Sequence, residues 1–433
     1  MAHYIKILNF GPISSCELDI GDLTVLTGPQ ANGKSTVAKA VYFFRTIKED
    51  ILDLLINQSS SKRNLKSDLT TRLRNKFMNL FGTTYIMPYD MEMEYFYRKG
   101  DLERSIKVYI ESNYEPGTPP NILKFKFGKD IQDIIYNAGC YAVPLGSIER
   151  DRLQGELNQV FNDDCEIIFI PAGRSTITLL SDHLNRVFVS LEDWQRKTVD
   201  YCTLKFVELI FKIRPWFSVS HYVSKEGKAG NRSLIDEITR SSEIILGARY
   251  RYIDNEERLY LQDGQRYMKI NFSSSGQQES VWILNLLRFL CFEKRKVFLI
   301  IEEPEAHLYP EAQMHITDVI SMFVNGNTNY KNSTLITTHS PYILAELNNL
   351  ILCGQVPYEK TEPIKKIVDK RAWVKKGTLK AFHVMGGTLE SAIDDLDVWG
   401  LIKNELIDGA SEKINDRNDK ILDFLVTIEE EAR

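Results

Sequence analysis

Gly28 to Ser35 reads Gly-Pro-Gln-Ala-Asn-Gly-Lys-Ser, a glycine-bounded loop that closes on a lysine and a hydroxyl. In the spacing G-x-x-x-x-G-K-[ST], backbone N–H groups approach phosphate oxygens, the lysine neutralises β/γ charge and the hydroxyl reaches Mg²⁺. Gly28, Asn32, Gly33, Lys34, Ser35 and Thr36 are therefore candidate nucleotide contacts, with Ser35 also a Mg²⁺ ligand. The apolar run Leu23 to Leu26 precedes the loop, and Val37, Ala38, Ala40, Val41 and Phe44 give the next segment one apolar face. That is the strand–loop–helix setting such a cradle needs, and the helix starting near Lys34 adds its dipole.

Three later segments carry matching chemistry. Lys296 to Ile301 reads as a buried strand that ends on Glu302 and Glu303. Carboxylates at such a strand end suit a Mg²⁺ shell (Glu302) and a base that polarises water for in-line attack on a γ-phosphate (Glu303). Thr334 to Thr337 reads as another buried strand, after which His339 can hydrogen-bond a γ-phosphate or its attacking water. Ser274, Ser275, Gly276 and Gln277 open a helix whose apolar positions include Val281, Leu284, Leu287 and Leu290. Taken alone, that helix start is either an anion site or an ordinary serine N-cap.

The elements around these residues alternate in character. Ile5 to Phe10 and Leu18 to Leu26 read as strands, residues 49–82 and 129–161 as helices, and Met91 to Tyr97, Arg104 to Glu111 and Ile122 to Phe127 as an antiparallel sheet. Cys165 to Ile170 reads as a buried strand; residues 175–246 read as helical, with Phe188, Val189, Leu191, Trp194, Phe206, Leu209 and Ile210 apolar. Short β-runs follow at 248–270, and a terminal helix is expected over Leu401 to Leu425. The basic stretch around Arg72, Arg74 and Lys76 is either a solvated helix face or a surface for DNA or a partner.

At 433 residues and 43% hydrophobic content the chain can bury a substantial core. Its 54 basic against 59 acidic side chains leave a formal charge of −5, so no global basicity points to nucleic acid. Six scattered cysteines, without C-x-x-C or zinc spacing, predict reduced thiols. The N-terminus has no basic-then-apolar leader and no window approaches a membrane span, so a cytoplasmic protein without membrane attachment is expected.

The order Gly28–Ser35, Ser274-Ser275-Gly276-Gln277, Ile300-Ile301-Glu302-Glu303-Pro304-Glu305-Ala306-His307-Leu308 and Thr338-His339-Ser340-Pro341 resembles ATP-binding-cassette ATPases of the SMC, RecF and OLD type. It is most similar to the OLD-like AAA ATPases of bacterial anti-phage defence and toxin systems, such as those of Septu and PARIS. The resemblance implies an α/β P-loop ABC-type ATPase: mixed sheet core, antiparallel β lobe and helical insertion subdomain. It implies ATP and Mg²⁺ as cofactors, Lys34 and Ser35 as Walker A, Glu302 and Glu303 as Walker B with Glu303 catalytic, and His339 as the switch histidine. Ser274–Gln277 would be a signature acting in trans on ATP held by a second copy in a head-to-tail dimer.

Transporter- and SMC-type relatives place a glutamine where this chain offers Arg174 or Ser175, begin the signature with leucine rather than Ser273, and have aspartate, not Glu302, as the first Walker B acid. The corresponding divisions are 1–48 (Walker A part of the core), 49–164 (helical and antiparallel insertion), 165–247 (helical lobe), 248–350 (signature, Walker B and histidine) and 351–433 (an α/β tail). Asp394-Asp395-Leu396-Asp397 reads as a loop, not a nuclease centre, so the expected partner is a separately encoded effector, a nuclease or toxin. A RecF-like DNA-binding ATPase clamp is the alternative.

Overall fold

The computed structural model describes residues 3–56, 65–82, 87–112, 121–138, 146–179, 200–218, 232–326, 331–394, 397–409, 411–412, 415–418 and 420–421. The N-terminal part runs β1 (His3–Phe10), β2 (Ile13–Ile20), β3 (Leu23–Thr27), α1 (Lys34–Arg45), α2 (Ile47–Ile56) and α3 (Leu65–Phe81). The insertion holds β4 (Glu92–Phe96), β5 (Ser105–Ser112), β6 (Asn121–Phe127), α4 (Lys129–Ala138) and α5 (Ser147–Val160). After β7 (Glu166–Ile170) come α6 (Arg174–Leu179), α7 (Tyr201–Ile213), α8 (Arg232–Leu246), β8 (Arg249–Ile253), β9 (Glu256–Tyr260) and β10 (Tyr267–Lys269). Then follow α9 (Ser275–Phe292), β11 (Val297–Glu302), α10 (Pro310–Asn325), β12 (Ser333–Thr338), α11 (Pro341–Gly354), β13 (Leu379–Met385) and β14 (Thr388–Ser391).

Eleven of the described strands form one mixed sheet, ordered β6-β5-β4-β1-β2-β14-β13-β3-β12-β11-β7. Its heart is parallel: β13, β3, β12, β11 and β7 run the same way. Strands covered on both faces must be apolar throughout, and all six residues of β11 are buried. Phe298 and Ile300 enter one core, with α1 and the insertion, while Val297, Leu299 and Ile301 enter the other, with α9 and α10. The fold is α/β, and its antiparallel strands extend the same sheet through β1 instead of forming a separate one. The separate three-stranded sheet is β10-β9-β8.

Several expectations change. The apolar run from Leu18 to Leu26 is not one strand: it breaks at Gly21–Asp22, because β14 and β13 lie between β2 and β3 in the sheet. A continuous apolar run carries no mark of that crossing. Lys76 is buried and donates to Asp50 and Thr46, Arg72 pairs with Asp50 and Asp53, and Arg74 donates to Leu123 O, so the basic stretch on α3 is spent on packing. Ile402 pairs with Ile393 in an isolated bridge, so helical backbone in the tail begins at residue 405, not Leu401. Phe188, Val189, Leu191, Trp194, Cys140, part of the 49–82 stretch (57–64) and residues 422–425 lie outside the described residues. The other five cysteines are free, and Asp397 N–H donates to Asp394 O, while Asp395 and Leu396 lie outside the described residues.

A buried polar cluster joins the N-terminus to α1 and β7. Arg45 Nε donates to Asp163 Oδ2 at 2.8 Å, its guanidinium lies 3.7 Å from the Phe298 ring centroid, and Lys48 donates to Asp163 O and Cys165 O. His3 Nδ1 lies 2.8 Å from the Tyr95 hydroxyl and Nε2 3.1 Å from Asn162 O. A carbonyl can only accept, so the network assigns the ring proton to Nε2. Burial, then Arg45 and Lys48, lowers the His3 pKa from 6.5 to about 4, and Arg45 and Lys48 hold the Asp163 carboxyl below the usual range against its burial.

Between those two pH values the unfolded chain binds a proton on His3 that the fold refuses. Stability present at neutral pH is therefore lost as pH falls from 6.5 towards 4, by about 3 kcal/mol at the end of the window. Loss of the Asp163 carboxylate adds to this only below the ordinary aspartate range. Thermal melts from pH 7 to 4.5 should show the decline, and His3→Gln, which cannot titrate, should flatten it. An equal slope in both proteins would remove His3 as the cause.

Candidate nucleotide site

β3, β11 and β12 end side by side, and each delivers one part of the site. From β3 the chain turns through Gly28 to Gly33 into α1, whose N-cap is Gly33 at φ 99° with no side-chain cap bond. The first N–H groups of α1 are thus left for an anion. At Gly28 (φ +139°) a Cβ would stand 2.2 Å from Val384 O, so only glycine lets β13 lie against the loop. Asn32 Oδ1 accepts from Gly386 N–H at 3.2 Å while its Nδ2 donates to Gln30 O, and Gly387 O accepts from Ser14 and Ser15 N–H. The β13–β14 turn therefore holds the loop from behind.

Lys34 Nζ donates to Gly28 O at 2.7 Å and Pro29 O at 2.8 Å and lies 3.2 Å from His339 Nδ1. Burial lowers its pKa, opposed by Glu303 and Glu305. Ser35 is exposed and Thr36 half-buried in the same turn.

Glu302 closes β11 and is buried, with Oε2 accepting from Ala172 N–H at 3.3 Å and Oε1 without a hydrogen-bond partner. Burial raises its pKa, with the Ser35 hydroxyl and then Lys39 drawing it back. Glu303 follows at φ 44°, its N–H donating to Thr337 O at 2.9 Å. Its Oε1 is 3.1 Å from His339 Nε2. With Lys34 donating to Nδ1, the proton of a neutral His339 sits on Nε2 and points at Glu303.

Glu305, given no role by its sequence context, and Arg174, which stands where relatives have a glutamine that senses Mg²⁺ and water, complete the arrangement. Glu305 Oε1 accepts from the Thr338 hydroxyl and from His339 N–H, both at 2.7 Å, which fixes the histidine backbone. Arg174 is fully buried and donates to the carbonyls of both Glu302 and Glu303, so it is not a side chain free to sense Mg²⁺ or water. The visible signals were a carboxylate three residues past the Walker-type strand and an arginine closing Pro171-Ala172-Gly173 after β7.

Ser274 caps α9 in a reciprocal box with Gln277: Gln277 N–H donates to Ser274 Oγ, and Ser274 N–H to Gln277 Oε1. Gln277 Nε2 also donates to Leu246 O at 2.6 Å. Gly276 lies so close to His307 O that a Cβ would stand 2.7 Å away. Ser274 and Ser275 remain exposed at the helix start.

Residues 173–344 match the family model of the AAA ATPase domain. That match takes in Ser274–Gln277, Glu302, Glu303 and His339, while the Gly28–Ser35 loop lies before it and stands on its own geometry. The structure is similar to a solved SMC head bound to the C-winged helix domain of ScpA, at 14% identity over 90% of this chain and 96% of that one, with a TM-score of 0.41. The SMC head domain from Thermotoga maritima is similar at 12% identity over 90% and 97%, with a TM-score of 0.35. No curated protein matches the chain.

The charge balance of the site bears on a metal. Glu303 and Glu305 face Lys34, Glu302 faces Lys39, which is itself paired with Asp200, and Arg174 is buried behind them, so carboxylates outnumber cations. A divalent cation at the unpartnered Glu302 Oε1, beside the Ser35 hydroxyl, fits that excess. Among the described residues no group of three or more His, Cys, Asp or Glu can hold a metal alone, so such an ion would need phosphate oxygens or water as further ligands. No helix of the described residues is long and apolar enough to cross a membrane.

Proposed function

We propose that the protein is an ATP-hydrolysing regulatory subunit that acts as a head-to-tail dimer, or an assembly of dimers, and controls a separately encoded nuclease or toxin of a bacterial defence system. The observation that carries the ATPase part is the convergence of Lys34, Glu302, Glu303 and His339 at the ends of three adjacent parallel strands. The defence role is supported by the sequence resemblance.

ATP binding exchanges the Lys34 contacts to Gly28 O and Pro29 O for β- and γ-phosphate oxygens, and Asn32, Gly33 and Thr36 present the loop and first helical turn to the same phosphates. Ser35 and Glu302 would hold Mg²⁺, which would supply positive charge to offset the negative charge on the transferring phosphoryl group. Glu303 takes a proton from water as its oxygen bonds to the γ-phosphorus and the bond to the β,γ-bridging oxygen breaks, giving ADP and phosphate. His339 keeps Glu303 oriented through Nε2. The start of α9, Ser274 to Gln277, exposed at Ser274 and Ser275, reaches the ATP of a second copy, so hydrolysis loosens the dimer and changes its grip on the effector.

The test is native mass spectrometry of Glu303→Gln, expressed with its neighbouring genes and purified with ATP and Mg²⁺. An ATP-bound even-numbered assembly carrying a neighbour-encoded nuclease or toxin is the expected result. A dimer carrying only DNA would replace the effector reading with a DNA clamp, and a nucleotide-free monomer would overturn both.

A further inference from the structure

Arg174 joins parts of the molecule that the sequence keeps more than a hundred residues apart. Its side chain is fully buried, and Nε donates to Glu279 O at 2.7 Å, Nη1 to Pro171 O and Glu302 O, each at 2.7 Å, and Nη2 to Glu303 O at 2.8 Å. Most of its donors thus end on main-chain carbonyls, an expensive use of a buried guanidinium unless the position of those carbonyls matters. The carboxylate of Glu279, one turn into α9, faces the other way: Oε2 accepts Arg174 N–H and Oε1 accepts Ser175 N–H, each at 2.9 Å. Oε2 is also 3.4 Å from Arg174 Nε. The Thr178 hydroxyl adds a bond to Gln278 O at 3.0 Å.

We propose that Arg174 and Glu279 form a coupling clasp, with Arg174 a positioning residue that ties the exposed start of α9 to the peptide planes carrying Glu302 and Glu303. This rests on the ATPase reading above. Two of the four carbonyls that Arg174 holds belong to the last strand residue, Glu302, and to Glu303, whose positive φ already departs from the relaxed backbone. Glu303 N–H is pinned to Thr337 O on one side and its carbonyl to Arg174 on the other, so the aim of its carboxylate follows the guanidinium. The guanidinium in turn follows α9, to which it is bonded at Glu279 O. A second contact, Gly276 against His307 O, repeats the link a few residues further along. A partner that seats on Ser274 and Ser275 therefore reports its arrival to this chain's own Glu302 and Glu303.

The experiment uses the full chain with Arg174→Lys, Glu279→Gln and the double variant. Readouts are kcat per bound nucleotide, KM for MgATP, and hydrogen exchange of peptides covering 171–178 and 300–308. Lysine keeps the charge but cannot span the carbonyls, and glutamine keeps the shape but weakens the bonds to Arg174 and Ser175 N–H. Each single variant is expected to lower kcat about 10-fold or more with KM within about 2-fold, and the double variant to be no slower than the slower single. A general loss of structure would instead lower the fraction that binds nucleotide and leave kcat per bound nucleotide alone.

Exchange should quicken in both peptides together. Wild-type kcat and exchange in a folded Glu279→Gln, or additive losses in the double variant, would overturn the clasp. Should Arg174→Lys not fold, Glu279→Gln decides alone. If the wild type has no ATPase activity that Lys34→Ala abolishes, the ATP reading fails, and the exchange measurement still tests the clasp without nucleotide.

Discussion

Glu303→Gln should bind ATP as well as the wild type yet hydrolyse it about 10²–10³-fold more slowly, since a positioned general base contributes on that order. The substitution is nearly isosteric, and the amide oxygen can still accept from His339 Nε2, whose contact with Glu303 Oε1 is 3.1 Å. What disappears is the capacity to take the proton of the attacking water. The backbone should tolerate the change, because φ 44° at this position is held by the Thr337 and Arg174 bonds to main-chain atoms and not by the carboxylate. Phosphate release under saturating MgATP, beside the nucleotide content of the purified protein, gives the result. Equal hydrolysis by both proteins would move the base elsewhere, with Glu305, whose Oε2 is buried and unpartnered, as the next candidate.

How much of this site was legible follows from how local each signal is. Gly28–Ser35 is written in consecutive residues, β11 betrays itself as an apolar run and β12 as a short stretch of β-branched residues and leucine, so the three strand ends and their Lys34, Glu302, Glu303 and His339 could be named. What no spacing rule reaches is pairing across distance. Arg174 meets Glu279 over 105 positions, and Gly386 meets Asn32 over 354. The first bond turns an apparent substitute for a sensing glutamine into a structural hub. The second carries the 379–391 segment, read as tail, into the main sheet behind the phosphate loop.

Charge was the other weak guide. Arg72 and Lys76 look like a surface stripe until Asp50 on α2 is placed opposite them. Hydropathy cannot distinguish a solvated lysine from one that answers a buried carboxylate, because both are polar letters at helical spacing. Likewise, Gly21 breaks a β-run that looks unbroken because the sheet inserts β14 and β13 between the two halves.

Lys34→Ala should lose ATP affinity by at least about 100-fold, as expected when a charge-assisted contact to phosphate is removed from a desolvated site. Its effect on the nucleotide-free fold should be small. Lys34 is buried and its pKa is lowered by that burial, so the ammonium is held at a cost that its bonds to Gly28 O, Pro29 O and His339 only partly offset. Alanine is also a good residue for the first turn of α1. The two effects separate in one titration: thermal melts without nucleotide should coincide for the variant and the wild type. With MgATP at about 100 times the wild-type Kd, only the wild type should gain about 2.7 kcal/mol. A variant that gains as much would show that the phosphates are held elsewhere, and the convergence of β3, β11 and β12 would no longer account for nucleotide binding. A variant already destabilised without nucleotide would instead make Lys34 a structural strut of its own loop.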